Sequence, residues 1–383
     1  MPDNPFRYGH LAVGEHFTDR AREITELVSD VRSGQSVVII SPRRFGKTSL
    51  VLRARDQLVK HGTLVAYADL FRATTKQRLV DEVATALYRG VASPLERARA
   101  RALDLFQMLP VQPRLTLGKD GSPSLELSPL ARAEDLDRTL QQLLELPERL
   151  AAERGRRAVV VLDEFQEIVA LDASLPAVLR SIVQAQQHVA YVYLGSRQHL
   201  MSRVFTDRNE PLYRSARPLP LGPIAPTEFS RFIRSRFESA NVWIEDGAIA
   251  HILGLTGGHP HDTQELCHFT WSLGAATGGV VTAAHVDQAL ARVVEAEDAH
   301  YTTLWESLSR SQRPLVQAVA REPGSALYSE GFRQRHRLGS AATVQKALKA
   351  LLDREVIEGS TTHGYRVPDV FFRAWMRAML ERA

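Results

Sequence analysis

Short apolar runs alternate with longer amphipathic stretches through the first two thirds of the chain, and amphipathic stretches then take over. "SVVII" (36–40) is β-branched, too short for a helix and apolar on both faces, which predicts a buried parallel strand. "TLVAYADLF" (63–71), "AVVVLDEFQEI" (158–168) and "VAYVYLGS" (189–196) read the same way, and "ARPLPLGPI" (216–224) supplies a last short strand. Helical periodicity fills the gaps. Thr18 is the candidate N-cap of "DRAREITELVSDVRSG", which stops at Gly34. "TSLVLRARDQLVKHG", "KQRLVDEVATALYRG", a long segment from Ala133 to Arg156 and "LPAVLRSIVQAQQ" follow. Strand and helix alternating at this spacing predict a parallel sheet covered by helices on both faces.

The rhythm breaks twice. Residues 111–129 alternate apolar and polar positions around Lys-Asp-Gly-Ser, the pattern of a β-hairpin inserted into the sheet domain. After Pro226 the pattern is helical only, in "TEFSRFIRSRFESA", "DGAIAHILGLTGG", "HDTQELCHFTWSLGAA" and "AAHVDQALARVVEAE". Two further helices are expected from about His300. "SAATVQKALKALLDREVIEGSTTHGYRV" then has the helix, strand, turn, strand layout of a winged helix. The expected fold is therefore α/β: a P-loop NTPase parallel sheet over residues 1–225, an all-helical lid domain over 226–299 and a C-terminal winged helix over 300–383. Neither repeats nor low-complexity tracts interrupt it.

Composition narrows the picture little. A 383-residue chain with 44% hydrophobic and 24% charged residues is ordinary for a folded protein of two or three domains. No apolar run reaches the roughly 20 residues that span a bilayer. "MPDNPFRYGH" lacks the basic-then-apolar pattern of a secretory signal, so a cytoplasmic protein is expected. The single cysteine, Cys267, excludes an internal disulfide and a cysteine-cluster zinc site, and reads as a small buried apolar residue. The net charge of +4 is unevenly spread, with 13 Lys/Arg against 8 Asp/Glu from Tyr301 onward. A polyanion partner and a solvated surface both account for that surplus.

The chemistry lies at the strand ends. "SPRRFGKTS" (41–49) follows the first strand and opens a helix, and it matches G-x-x-x-x-G-K-[ST] except that Ser41 replaces the first glycine. Backbone amides from Arg44 through Phe45, Gly46, Lys47 and Thr48 to Ser49 suit a polyphosphate, helped by the positive end of the helix. Gly46 lets the backbone approach, Lys47 would neutralise the β- and γ-phosphates, and the Thr48 hydroxyl would sit on Mg²⁺. Ser41 occupies the position furthest from the phosphates, where it alters the exit from the strand and removes no functional group. Asp163 and Glu164 end a buried strand, at the end of an open parallel sheet where ligands bind. Asp163 suits a hold on Mg²⁺, and Glu164 suits polarising an attacking water. Ser196 or Arg197, after the next strand, could sense the γ-phosphate; a plain cap to "QHLMSRVF" is the alternative. His259 and His261 lack a third ligand at helical spacing and make a poor metal site.

In this order the motifs resemble the archaeal-type ATPases of the additional-strand P-loop group, related to the STAND NTPases and to origin-recognition AAA+ initiators. The resemblance runs nearly the whole length. "NPFRYG" with "EHFTDRAREITEL" resembles the family's N-terminal segment, "SPRRFGKTSL" and "VLDEFQEI" its two phosphate motifs, and "PLYRSARPLPLGPI" its segment after the sensor. "TGGHPHDTQEL" resembles its Gly-x-Pro lid motif and "GYRVPDVFFRAWMR" its C-terminal end. The resemblance implies Phe17 and Arg20 near the base or ribose, Pro260 touching the adenine from the lid, and Arg214 as an arginine finger in cis or in trans. A surface arginine is an equal reading of Arg214. The cofactors implied are ATP and Mg²⁺, and the activity is ATP hydrolysis to ADP and phosphate, slow or stimulated by a partner.

Two outputs remain open. One is a nucleotide-gated DNA-binding protein, the other a STAND-like regulator that recruits a protein partner with little turnover. In the helix "SAATVQKALKALLDRE", Val344, Leu348, Leu351 and Leu352 form the expected buried stripe, leaving Gln345, Lys346 and Lys349 outward. With Arg333 and Arg335 of "RQRHR" just upstream, these could hold phosphates without reading sequence. No membrane partner is expected, and an oligomer is compatible with the sequence.

Overall fold

A computed structural model describes residues 3–91, 111–117, 123–129, 134–360 and 364–382. The chain forms two compact units, Leu11–Gly222 and Met1–His10 with Pro223–Ala383.

In the first unit, strands β1 (Val37–Ile40), β2 (Leu64–Asp69), β5 (Ala158–Asp163), β6 (Val189–Gly195) and β7 (Arg217–Pro218) make one sheet. Its order is β2-β5-β6-β1-β7, with every pairing parallel. β5 and β6 are buried along their whole length, as their uninterrupted apolar runs require. The last expected strand is only two residues long, because Pro218 and Pro220 supply no amide to extend the ladder. Strand alternation divides the core. One face packs Leu64, Ala66, Val160 and Tyr193 under α3 (Lys76–Val91), α4 (Glu134–Glu153) and α6 (Leu175–Ala185). The other packs Val37, Ile39, Val159 and Leu194 under α1 (Ala21–Ser33) and α2 (Lys47–Lys60). α1 ends at Gly34 as expected, with Gly34 left-handed and closing the last carbonyls. β3 (Val111–Leu117) and β4 (Pro123–Pro129) pair antiparallel as the inserted hairpin; its expected turn lies outside the described residues.

The second unit holds four helices, α8 (Pro226–Ser239), α9 (Asp246–Thr256), α10 (Pro260–Thr277) and α11 (Ala283–Ala296), followed by a winged helix. The latter contains α13 (Gln312–Arg321), the short α14 (Glu330–Arg335), α15 (Ala341–Asp353) and the antiparallel pair β8 (Glu358–Ser360) and β9 (Gly364–Arg366). Val344, Leu348 and Leu351 are buried in α15 and Leu352 is half-buried, while Lys346 and Lys349 are exposed. Residues 3–10, grouped by the sequence with the sheet domain, pack instead in this second unit. Phe6 is 1% exposed against Phe232 and Phe237, and Asn4 donates to the His268 carbonyl at 2.9 Å. An aromatic side chain of that size finds its cover where the other phenylalanines are. Among the described residues no helix is long and apolar enough to cross a membrane.

Candidate active site

Three adjacent strands, β5, β6 and β1, end at one level, with Ile40 opposite Gly195 and Leu162 opposite Tyr193. The loop after β1 therefore lies beside the ends of β5 and β6. Ser41 leaves β1 with its amide donating to the Gly195 carbonyl at 3.4 Å, buried to 1%. The left-handed positions of the loop are Arg44 (φ 64°) and Gly46 (φ 81°), and Ser41 is not one of them. A side chain at position 41 thus costs no backbone strain, whereas one at position 46 would cost about 1–2 kcal/mol. Gly46 is the N-cap of α2, so the loop's amides gather at a helix N-terminus. The Phe45 side chain is buried in the core on the α2 face, leaving only its backbone to the loop. Lys47 is 6% exposed, and its ammonium donates to the carbonyls of Ser41 and Pro42, both at 2.8 Å.

At the end of β5, Asp163 is 4% exposed. The hydroxyls of Thr48 and Tyr67 both donate to its Oδ2, at 2.7 and 2.6 Å, and the Glu164 amide donates to Oδ1 at 2.9 Å. Burial pushes the Asp163 carboxyl above its ordinary range, and the hydroxyl bonds only partly offset it. Burial and the neighbouring Asp163 charge push the Tyr67 phenol far upward, so it stays protonated and donates to Asp163. Glu164 is held at φ 53°, a left-handed conformation costly for a residue with a Cβ. Its Oε2 accepts from the Ser196 hydroxyl at 2.7 Å and from the Gln166 amide, and Gln166 also donates to Ser196 at 3.4 Å. Arg197 lies 3.9 Å from Glu167.

The structure thus brings Lys47, Thr48, Asp163, Glu164 and Ser196 to one end of the sheet. Two members of the cluster carried no signal in the sequence. Tyr67 shares its face of β2 with Val65 and Asp69, and Gln166 lies two positions past Glu164 in "DEFQ". Both become visible only when the strand register is known. Phe17 and Ser49 share a small cleft of about 110 Å³ with Ala12 and Val13, and the Ala12 amide donates to the Ser49 hydroxyl at 3.1 Å. Arg20, 5% exposed, is tied to Glu23 at 3.1 Å and to the Gly222 carbonyl at 2.6 Å. Arg214 is exposed, left-handed (φ 52°) and 5.3 Å from the Tyr213 ring. Pro260 opens α10 in the second unit, behind the left-handed pair Gly257 and Gly258. His259 and His261 both turn to Asp262, at 3.1 and 3.4 Å. Among the described residues no group of three or more His, Cys, Asp or Glu is placed to hold a metal ion.

A lysine loop at a helix N-terminus, a hydroxyl on a buried carboxylate and a second carboxylate beside it are the parts of a nucleotide site. Residues 17–266 match the family described as an ATPase domain predominantly from Archaea. The chain belongs to this ATPase family. Residues 299–378 match a probable winged helix domain. A Walker-type ATPase of Pyrococcus abyssi is similar in fold, with TM-score 0.64 at 17% identity over 97% of this chain and 99% of that one. The ORC1 protein of Aeropyrum pernix, solved in complex with DNA, gives 0.49 at 13% identity over 96% and 94%. The RuvB Holliday junction branch migration motor of Thermotoga maritima gives 0.44 at 14% over 96% and 97%. No curated protein matches the chain.

Proposed function

We propose that this member of the ATPase family hydrolyses ATP with Mg²⁺ at the ends of β1, β5 and β6, and that the bound nucleotide switches its helical and winged-helix segments. The observation that carries the reading is the shared oxygen of Asp163. Two neutral hydroxyls satisfy it without neutralising it, and Thr48 and Asp163 form a hard oxygen donor pair suited to Mg²⁺. When bound, the ion would neutralise charge developing on the transferred phosphoryl group.

The chain's own residues supply the rest. Amides from Arg44 to Ser49 surround the phosphates, and Lys47 exchanges its two loop carbonyls for phosphate oxygens. Phe17 and the cleft it shares with Ser49 take the base side. Pro260 closes from the lid domain (226–299), Arg214 serves as an arginine finger, and Arg197 assists at the γ-phosphate. Arg20 acts indirectly, by fixing the turn ahead of α1. Glu164 must orient a water, yet its carboxylate is occupied by Ser196 and Gln166. Releasing it is a step that slows basal turnover and offers a partner something to accelerate. Glu164→Gln should keep ATP affinity and lose about 10²–10⁴-fold in kcat, whereas Lys47→Ala should abolish ATP binding. Equal turnover in wild type and Glu164→Gln would refute the assignment.

A second reading, nucleotide-gated contact with duplex DNA, is favoured by the exposed pair Lys346 and Lys349 on α15. It is weakened by the arginines upstream. Arg335 is paired with Glu322 at 2.9 Å, and Arg333 donates to the Tyr328 and Gly339 carbonyls at 3.3 and 3.5 Å. Salt-dependent duplex binding that disappears in Lys346→Ala/Lys349→Ala would support it.

A further inference from the structure

A cleft of the sheet unit lined by the far part of α2 rather than by the phosphate loop is strongly basic. It encloses about 920 Å³ between α2, the start of β2 and the ends of α3 and α4. Arg53, Arg55, Lys60, Arg89, Arg154 and Arg156 line it, and among the described residues on its wall Asp56 is the one carboxylate. Arg53, Arg55, Lys60, Arg89 and Arg156 are exposed. Asp56 lies 3.4 Å from Arg55. The floor is apolar, made by Leu64, Val65 and Tyr67. Focusing six cations over an apolar wall raises the local concentration of a polyanion.

The observations favour a phosphate chain over an acidic peptide. β2 is the outer strand of the sheet, where a peptide would ordinarily dock by adding a strand. Gly90 closes that edge: its backbone lies so close that a Cβ would stand 2.0 Å from the Val65 carbonyl oxygen. Recognition in the cleft is left to side chains, mostly guanidinium groups, whose fork fits phosphate oxygens. An apolar floor with an aromatic ring suits unpaired bases, which a duplex keeps stacked inside.

We infer that this cleft binds the backbone of a single-stranded nucleic acid, and that Tyr67 reports its occupancy to the nucleotide site. β2 places Val65 and Tyr67 on one face, so the Tyr67 ring lines the cleft while its hydroxyl bonds Asp163 at 2.6 Å. A base against the ring biases that hydrogen bond, and with it the oxygen Asp163 shares with Thr48. The coupling rests on the proposed ATPase site; the binding does not.

The test is fluorescence anisotropy of a labelled oligothymidylate of about 15 nucleotides with the full chain and no added nucleotide. Lys60→Ala/Arg154→Ala/Arg156→Ala removes three cations of the cleft wall, none of which lines the cleft shared by Phe17 and Ser49, and should weaken binding at least tenfold. The slope of log K against log salt should flatten by about 2. Lys346→Ala/Lys349→Ala should stay within threefold of wild type. Wild-type affinity in the triple variant, no binding at low salt, or displacement by polyglutamate as readily as by unlabelled oligonucleotide would each overturn the proposal. The oligonucleotide should also raise ATP turnover in wild type and not in the triple variant, whose basal turnover stays unchanged. Absence of turnover in wild type would instead count against the ATPase reading and leave the anisotropy result standing.

Discussion

Two buried carboxylates, one in each unit, are satisfied in opposite ways. Asp163 is 4% exposed and Asp262 is 7% exposed, so both forgo water. At Asp163 the side-chain partners are neutral hydroxyls, and burial keeps the carboxyl above its ordinary range. At Asp262 burial pushes the same way, but His259 and His261 outweigh it and hold the carboxyl at about 2. The histidine-paired carboxylate has its electrostatic demand met from within the chain and ties down the start of α10. The hydroxyl-held one keeps an uncompensated charge at the end of a strand, beside a lysine loop. A buried charge left wanting a cation marks a functional site more sharply than burial alone.

That contrast breaks most decisively on Asp163→Asn. The amide keeps the shape and removes the charge, so Mg²⁺-dependent turnover should fall about 10–100-fold with a matching loss of Mg²⁺ affinity, read by titrating Mg²⁺ at fixed ATP. Asp262→Asn should leave the Mg²⁺ midpoint unchanged and appear in thermal unfolding. A carboxyl lowered from 3.8 to about 2 corresponds to about 2 kcal/mol of stability. Its removal should lower the melting temperature by roughly 5 °C at neutral pH. Because the folded pKa is depressed, that stability is present above the ordinary carboxylate range and is lost as pH falls toward the folded value. The difference between wild type and Asp262→Asn should therefore shrink between pH 5 and pH 2. If Asp262→Asn shifted the Mg²⁺ midpoint as far as Asp163→Asn, the contrast would collapse.

Tyr67→Phe sharpens the same comparison with a smaller effect. The raised Asp163 carboxyl takes up a proton at a higher pH than a free aspartate, and protonation competes with Mg²⁺. Turnover should therefore fall on the acid side above the ordinary aspartate range. The Tyr67 hydroxyl stabilises the charged form, so removing it moves the acid limb of kcat/KM further up in pH. A packing role alone would lower activity without moving the limb.

What the sequence displays and what it conceals follow from how far apart the cooperating residues lie. Lys47 and Thr48 share a nine-residue loop, and Asp163 and Glu164 end an apolar run, so spacing and strand-end position suffice to find them. The parallel sheet was equally legible, because four short β-branched runs separated by helices leave few other arrangements. Tyr67 and Gln166 act through partners set by register and by strand order. Nothing in "LVAYAD" announces that its tyrosine meets a carboxylate 96 positions away. The placement of residues 3–10 is concealed for the same reason, since Phe6 is distinguished only by the rings it meets in the second unit.

The finest effect is reserved for Ser41, where the loop departs from the usual glycine. Three of its properties predict a near-silent Ser41→Gly substitution. Its backbone avoids the left-handed region, its hydroxyl among the described residues reaches only the Pro42 carbonyl at 3.5 Å, and its contribution to Lys47 is a carbonyl that glycine also has. Against these stands the entropy of a freer chain, about 0.5–1 kcal/mol. ATP affinity, measured by calorimetry, should therefore match wild type within about threefold, and the melting temperature should drop by no more than a few degrees. A much larger loss of affinity would mean that the serine hydroxyl itself contacts the nucleotide.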